Sequence, residues 1–335
     1  MRNWSFNVYK SRINLYNVYS DFIDKTIGWC IMKKIRLSIR KISFIFVILT
    51  MIFSMVACSE ITEQNTIGKS NNGNLKVHYI NVGQGDSILI QQGNENMLID
   101  AGPNSSSEKV VDYLKQNNIK DIKYLVATHP HEDHIGGMSK VINNFKVDNV
   151  YMPKKVATTK TFKNMVESMK KKNLKAKVPH IGDELNLGDA KFTILWPDEK
   201  DQSNTNNYSI VLKGQYGKNT FLFTGDAEQL VENNILNKGL DVKADVLKLG
   251  HHGSSTSTSN NFLQKVNPEY AIAMCEKGNT YGHPHREIMQ KLKDKNIKLY
   301  RTDENGNIVL ISDGKNIKFN VEPGSYTAGS SKKKN

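Results

Sequence analysis

Between Thr128 and Gly137 the chain reads Thr-His-Pro-His-Glu-Asp-His-Ile-Gly-Gly, which places His129, His131, Asp133 and His134 within six residues. Imidazole and carboxylate at that density are metal-ligand chemistry, suited to zinc, manganese or iron better than to calcium or magnesium. Two histidines one residue apart on an extended loop point the same way, so His129 and His131 would feed one metal position. Asp133 and His134 project from the next turn and would feed another. Pro130 restricts its own backbone and that of His129, and Gly136 and Gly137 let a following helix start close by.

Three further sites of the same chemistry stand at the ends of apolar runs. Phe221-Leu-Phe-Thr-Gly closes on Asp226, Leu247-Lys-Leu-Gly closes on His251 and His252, and Thr280-Tyr-Gly leads to His283. A dinuclear centre needs a carboxylate delivered from a strand end to bridge its ions. Asp226 is therefore expected as a ligand with His251, with His252 standing behind the ligands. His283 is expected to touch substrate or a developing oxyanion.

The elements that must carry these residues alternate. Residues 75–82, 87–91 and 96–100 read as short strands joined by turns, 107–117 as a helix and 122–127 as the apolar strand before the histidine loop. Helices are expected at 138–145, 161–172, 228–236, 261–266 and 286–293. Strands are expected at 147–152, 191–196, 208–212, 220–224, 245–249 and 270–275, and a hairpin at 298–319 turning at Glu304-Asn305-Gly306-Asn307. Two sheets, each accompanied by helices, make one layered domain over 75–322. The lysines of 161–172 fall on the solvated face of that helix.

The termini differ in character from this domain. Lys33, Lys34, Arg36, Arg40 and Lys41 precede the apolar-leaning run 42–57, and Cys58 follows Met55-Val56-Ala57. That order is a secretory signal over 32–57 ending in a lipoprotein box, with Cys58 as the lipid-bearing first mature residue, an uncleaved anchor being the alternative. Either places the domain outside the cytoplasmic membrane. Residues 1–31 read as an extension outside the fold, 58–74 as a polar tether and 323–335 as a disordered basic tail. The formal charge of +13 is concentrated at the start: removing nine Lys/Arg and two acids in residues 1–57 leaves 37 basic against 31 acidic residues, or +6. A balance so mild permits a polyanionic substrate without arguing for one. Cys30, Cys58 and Cys275 supply no disulfide framework for the mature chain, and Cys275, in an apolar run, reads as a core residue.

Taken together, Val82-Gly-Gln-Gly-Asp-Ser87, Leu98-Ile-Asp-Ala-Gly102, the His129 to Gly137 motif, Asn207-Tyr-Ser-Ile-Val-Leu212, Thr224-Gly-Asp226, Lys248-Leu-Gly-His-His-Gly-Ser254, Tyr281-Gly-His-Pro284 and Arg301-Thr-Asp303 resemble the metallo-β-lactamase superfamily. Within it they are similar to the soluble domain of the ComEC-type competence DNA-internalisation proteins. The resemblance implies a four-layer αββα sandwich with mixed sheets and two divalent ions, zinc or manganese, at the sheet edge. It carries His129, His131, Asp133, His134, Asp226 and His251 over as metal ligands, with Asp100 bracing the loop. Asp86 would lie near the site in a structural or a functional role, and Asn207 falls in the same region.

One departure concerns the first metal position. Superfamily hydrolases place a further histidine between the central motif and the bridging aspartate, and here that interval holds only His180, with Asn206 and Asn207 nearer the expected place. The expected activity is a metal-dependent phosphodiesterase or nuclease, with Asp133 and His283 as the catalytic side chains and a phosphodiester, DNA included, as substrate. The alternatives are a surface esterase acting on phosphorylcholine or teichoic-acid diesters, and a metal-poor DNA-binding module linked to DNA uptake.

Overall fold

A computed structural model describes residues 73–197 and 204–330. The proposed extension, the signal, Cys58, nearly all of the tether and the last five residues lie outside the described residues.

Among the described residues, fifteen strands form two mixed sheets. The first runs, edge to edge, Ile317–Phe319, Ile308–Ser312, Leu75–Tyr79, Ile88–Gln92, Glu95–Ile99, Asp121–Val126, Lys146–Tyr151 and Ala176–Lys177. Its pairing is antiparallel as far as Glu95–Ile99 and parallel beyond. The second runs Lys298–Arg301, Tyr270–Ala273, Val246–Lys248, Asn219–Phe223, Val211–Tyr216, Ala190–Trp196 and Glu184–Leu187. Here the first four strands are parallel and the rest antiparallel.

Alternation along the strands decides the layering. Leu75, Val77, Tyr79, Ile88 and Ile90 of the first sheet meet Phe192, Ile194, Leu212, Phe221 and Phe223 of the second in a central core. The opposite side of the first sheet, with Leu89, Leu98 and Leu125, packs against Val110 and Leu114 of helix Ser107–Gln116, Val141 of Met138–Asn144 and Met165 of Lys160–Lys171. Leu222 and Leu247 of the second sheet pack in the same way against Val231, Leu263 and Leu292, from helices Gln229–Asn237, Asn260–Val266 and Arg286–Asp294. Both faces of each sheet are therefore buried, and the order helix, sheet, sheet, helix is the αββα sandwich. Cys275 lies in the outer core, where burial pushes its thiol pKa up.

Three expectations change. The hairpin expected over 298–319 does not form at Glu304–Asn307. Lys298–Arg301 pairs in the second sheet, Ile308–Ser312 pairs beside Leu75–Tyr79 in the first, and helix Thr302–Asn305 crosses between them. The real hairpin joins Ile308–Ser312 to Ile317–Phe319. Asn-Gly signals a reversal locally, but long-range pairing decides which sheet each arm joins. Val211–Tyr216 takes the place of the expected strand 208–212, because Thr205–Tyr208 coils into a tight turn. Finally, Ser325 to Gly329, expected in a loose end, is bonded to the domain. Arg301 donates to the Ser325 and Thr327 carbonyls, Tyr326 Oη donates to Ile297 O at 2.8 Å, and Gly329 N donates to Pro284 O at 2.8 Å.

Candidate metal centre

The site forms where parallel strands of both sheets end. Asp121–Val126 runs into the histidine loop, Asn219–Phe223 into Thr224-Gly-Asp226, and Val246–Lys248 into Gly250–Gly253. Backbone bonds tie these loops to one another and to their neighbours: His251 N to Gly225 O at 3.1 Å, Ile210 N to Thr128 O at 3.0 Å, and Asp86 N to Asp133 O at 3.2 Å. The last approach requires glycine at position 85, where φ is 144° and a Cβ would sit 2.3 Å from Asp133 O. Gly136 and Gly137 act as the sequence implied: a Cβ at either would strike the backbone of Asn104 or Ala101.

Ligand atoms of Asp133, His134, Asp226 and His252 lie within 4.8 Å of one another. His134 Nε2 is 3.2 Å from Asp226 Oδ2 and 3.7 Å from Asp133 Oδ2, and His252 Nε2 is 3.2 Å from Asp133 Oδ2 and 3.5 Å from Asp226 Oδ2. His129 Nε2 is 2.9 Å from His131 Nδ1 and 3.9 Å from Asp226 Oδ2, so the first histidine pair adjoins the same carboxylate. Asp226 therefore stands between the two groups, as a bridging ligand would.

The partners behind these atoms set their tautomers. His134 Nδ1 donates to Asp100 Oδ2 at 2.8 Å, and His252 Nδ1 donates to Met274 O at 2.9 Å. Each ring therefore turns Nε2 toward the carboxylates, where it can ligate a metal once the ion displaces its proton. Asp100 also accepts from Thr128 N at 2.8 Å and from Thr128 Oγ1 at 2.7 Å, and it holds φ at 57° to do so. Asp100 thereby ties Thr128, at the start of the histidine loop, to His134.

Charge and protonation suit a cation. Burial alone would depress His134, yet Asp226, Asp133 and Asp100 outweigh it and hold its pKa well above the usual histidine value. Burial likewise opposes a charge on His252, but Asp226 first and the other carboxylates lift it to about 9. The field that attracts a proton here would attract a divalent ion. His129, His131 and His251 are held below the normal value, chiefly by burial, which keeps them neutral and able to ligate. Among the described residues, His134 Nε2 and Asp226 Oδ1 are buried without a hydrogen-bond partner. Such orphans are rare unless an ion or water satisfies them, and the donor set fits a divalent metal.

Three positions differ from expectation. His252, expected behind the ligands, joins Asp133 and His134 directly. His251 instead lies 3.7 Å from Asp226 by Nε2, and its Nδ1 reaches Thr256 Oγ1 at 3.2 Å and Asn206 Nδ2 at 3.5 Å. Both histidines are left-handed, with φ of 50° and 56°, so the turn rather than the sequence order chooses which ring faces inward. Asn207 also turns away, its carbonyl accepting from Trp196 Nε1 at 2.7 Å and its Oδ1 from Glu228 N at 3.4 Å. Asn206 faces the cleft in its place. His180 is far from this role, exposed beside Asp183 at 3.5 Å.

Above the ligands opens a cleft of about 480 Å³ that Gln84, His131, Asn206, His251, Tyr281 and His283 help to line. Sequence reasoning assigned no role to Gln84, whose Nε2 donates to His283 Nδ1 at 3.3 Å while its Oε1 accepts from Glu276 N at 3.3 Å. The second bond fixes the amide orientation, so the His283 proton resides on Nε2. Burial, and then the neighbouring His252 and His251, lower His283 to about 3, and it is neutral near pH 7. Lys248 also had no assigned role. It is buried, with Nζ 2.5 Å from Asp86 Oδ2 and 3.2 Å from Gly225 O, while Asp86 Oδ1 is 3.2 Å from His252 Nδ1. A lysine inside the apolar run Val246–Leu249 was the signal that a buried carboxylate faces it.

The fold and this centre can be set against known proteins. The profile of the metallo-beta-lactamase superfamily matches residues 80–275, more than half of the chain. The chain belongs to the metallo-beta-lactamase superfamily. It is 32% identical over 266 residues to ComE operon protein 3 of Bacillus subtilis, which covers 74% of this chain and 34% of that protein. It is also 30% identical over 227 residues to competence protein ComA of Neisseria gonorrhoeae, covering 67% and 30%. The chain thus spans about a third of the length of these relatives. The crystal structure of the metallo-beta-lactamase fold protein YhfI from Bacillus subtilis aligns over 72% of this chain and 100% of its own, at 15% identity and a TM-score of 0.50, a likeness of fold alone. Membership in this metallo-beta-lactamase superfamily makes the chain a member of a group of metal-dependent hydrolases, with competence proteins among its relatives.

Proposed function

We propose that the protein is a metal-dependent phosphodiesterase, a nuclease in particular, that works outside the cytoplasmic membrane and is held there by lipid on Cys58. The observation that carries the reading is the meeting of Asp133, His134, Asp226 and His252 with the His129–His131 pair under an open polar cleft. The names of the competence relatives support DNA among the possible diesters. Cys58 lies outside the described residues, and the basic and apolar run before it supports the anchor.

His129, His131 and Asp226 would hold one ion, and Asp133, His134 and His252 the other, with Asp226 between them. Bound divalent metal supplies a polarised phosphoryl oxygen and a water acidic enough to act as hydroxide near neutral pH. Asp133 is the least buried of the four converging residues, with a side chain 30% exposed, and it is the carboxylate placed to orient an attacking water. His283 is neutral and carries its proton on Nε2, which makes it a hydrogen-bond donor to a phosphoryl or leaving oxygen and not a general acid. Gln84 keeps that tautomer in place. Asn206 adds a neutral amide to the lining, which holds no lysine or arginine, so the charge that draws an anionic diester would come from the bound metal.

The test uses the purified chain with Mn²⁺ or Zn²⁺, offered single-stranded DNA and a small aryl phosphodiester beside the Asp133→Ala variant. Turnover that needs metal and is abolished by the substitution supports the reading. Equal, metal-independent behaviour of the two proteins on both substrates would end it.

A further inference from the structure

A second cleft, of about 530 Å³, adjoins the metal cleft, and Gln84 lines both. One wall is the Asn81–Gln84 turn, a second is the start of helix Ser107–Gln116 with Lys109, and a third is the Glu276–Lys277 turn. The partition between the two clefts is the Gln84 side chain, bonded on one side to His283 and on the other to Glu276 N. A chain-like ligand lying over the metal ligands and passing Gln84 would enter this second space.

The charges there favour an anion. Lys109 and Lys277 are exposed, and neither has an ion-pair partner among the described residues. Of the two carboxylates that line the cleft, Asp303 is paired with Arg301, with Nε to Oδ1 at 3.0 Å and Nη2 to Oδ2 at 2.8 Å, a guanidinium that also lies 3.1 Å from Glu304 Oε1 outside the cleft lining. That leaves two lysines against Glu276. The metal cleft, by contrast, has no lysine or arginine in its lining.

We propose that this cleft is an anionic subsite for the phosphate next to the one being cleaved, so that the substrate is a chain of phosphodiester-linked units and not a lone diester. The proposal rests on the phosphodiesterase reading and names its substrate class. A neighbouring phosphate offers one negative charge and hydrogen-bond acceptors, which match two exposed ammonium groups. A small diester occupies only the metal cleft and gains nothing from Lys109 or Lys277.

The experiment compares the full chain with the Lys109→Gln/Lys277→Gln double variant on a small aryl phosphodiester, a short oligothymidylate and an oligo(glycerol phosphate). Both lysines are exposed, so the variant is expected to fold, and far-UV circular dichroism checks this. The expected result is a fall of about tenfold in kcat/KM on a chain substrate relative to the small diester, from two exposed charge contacts. The salt slope of log KM on that substrate should also shrink by about 0.7, one phosphate's share for a single strand. Loss on oligothymidylate assigns the cleft to nucleic acid and loss on oligo(glycerol phosphate) to a wall polymer. An unchanged ratio on both chain substrates overturns the subsite. If the parent protein turns over none of the three, the phosphodiesterase reading fails by itself. Binding of dye-labelled oligothymidylate and oligo(glycerol phosphate), followed by fluorescence anisotropy, then decides the cleft: a Kd weakened about tenfold in the variant for either keeps it, and an equal Kd for both removes it.

Discussion

The Lys248 ammonium lies 2.5 Å from Asp86 Oδ2, and the two side chains are only 0% and 2% exposed. Breaking a buried pair from one side leaves an uncompensated charge, which costs about 3–5 kcal/mol. Lys248→Met should therefore lower unfolding stability by about that much, and Lys248→Met/Asp86→Asn should recover a good part of the loss. Chemical denaturation of the four proteins of this cycle checks the coupling. Additive losses would show that the two groups do not act as a pair.

The Asp100 carboxylate accepts three hydrogen bonds, from Thr128 N, Thr128 Oγ1 and His134 Nδ1. Asp100→Asn keeps the shape but removes the charge that orients the imidazole. Metal affinity should fall about 10–100-fold with the fold retained. A competition titration against a chelating dye measures it, and an unchanged affinity would show that Asp100 only shapes the loop.

The two adjacent histidines should separate by function. Because His252 and not His251 converges on Asp133 and His134, His252→Ala should weaken metal retention more than His251→Ala does. Elemental analysis after dialysis gives the order, and the reverse order would return His251 to the ligand set. Metal that binds only the folded state should also raise the melting temperature, by about 2.7 kcal/mol of added stability at a hundredfold excess over Kd.

His78 connects pH to stability away from the metal centre. It is 4% exposed, its Nδ1 sits 2.9 Å from Tyr113 Oη, and its Nε2 has no partner among the described residues. Burial, opposed by the nearby Gln91 side chain, which favours the protonated ring, and assisted by Lys76, lowers its pKa from 6.5 to about 4. The unfolded chain then binds the proton first as pH falls, so the stability held above pH 6.5 is lost progressively down to about pH 4. The total is about 3 kcal/mol at 1.36 kcal/mol per pKa unit. In His78→Gln the stability curve should be flatter over that window. Parallel curves would sink the assignment.

Local pattern was enough for much of this protein, because the chemistry and the elements repeat at short range. His129 to His134 sit on one loop, so the sequence order alone places a metal-binding stretch after a buried strand. The apolar periods of 107–117, 161–172 and 286–293 locate helices within a residue or two of those observed. Asp226 could be assigned because it ends an apolar run at a glycine turn, whereas the bracing role of Asp100 came only from the family resemblance.

What only the tertiary structure decided depends on directions that neighbours impose. Two adjacent histidines in left-handed conformation diverge, and only the packing against Met274 O and Asp86 selects His252 to face Asp133. Asn206 and Asn207 differ for the same reason, since the carbonyl of Asn207 is committed to Trp196. The Asn305-Gly306 turn promised a hairpin until two separate sheets claimed its arms. Lys248, Asp86 and Gln84 acquire their roles across separations of more than a hundred residues, where sequence spacing carries no geometry. The sequence therefore determined which groups can do chemistry and on which elements they ride, and tertiary packing decided which way each side chain points.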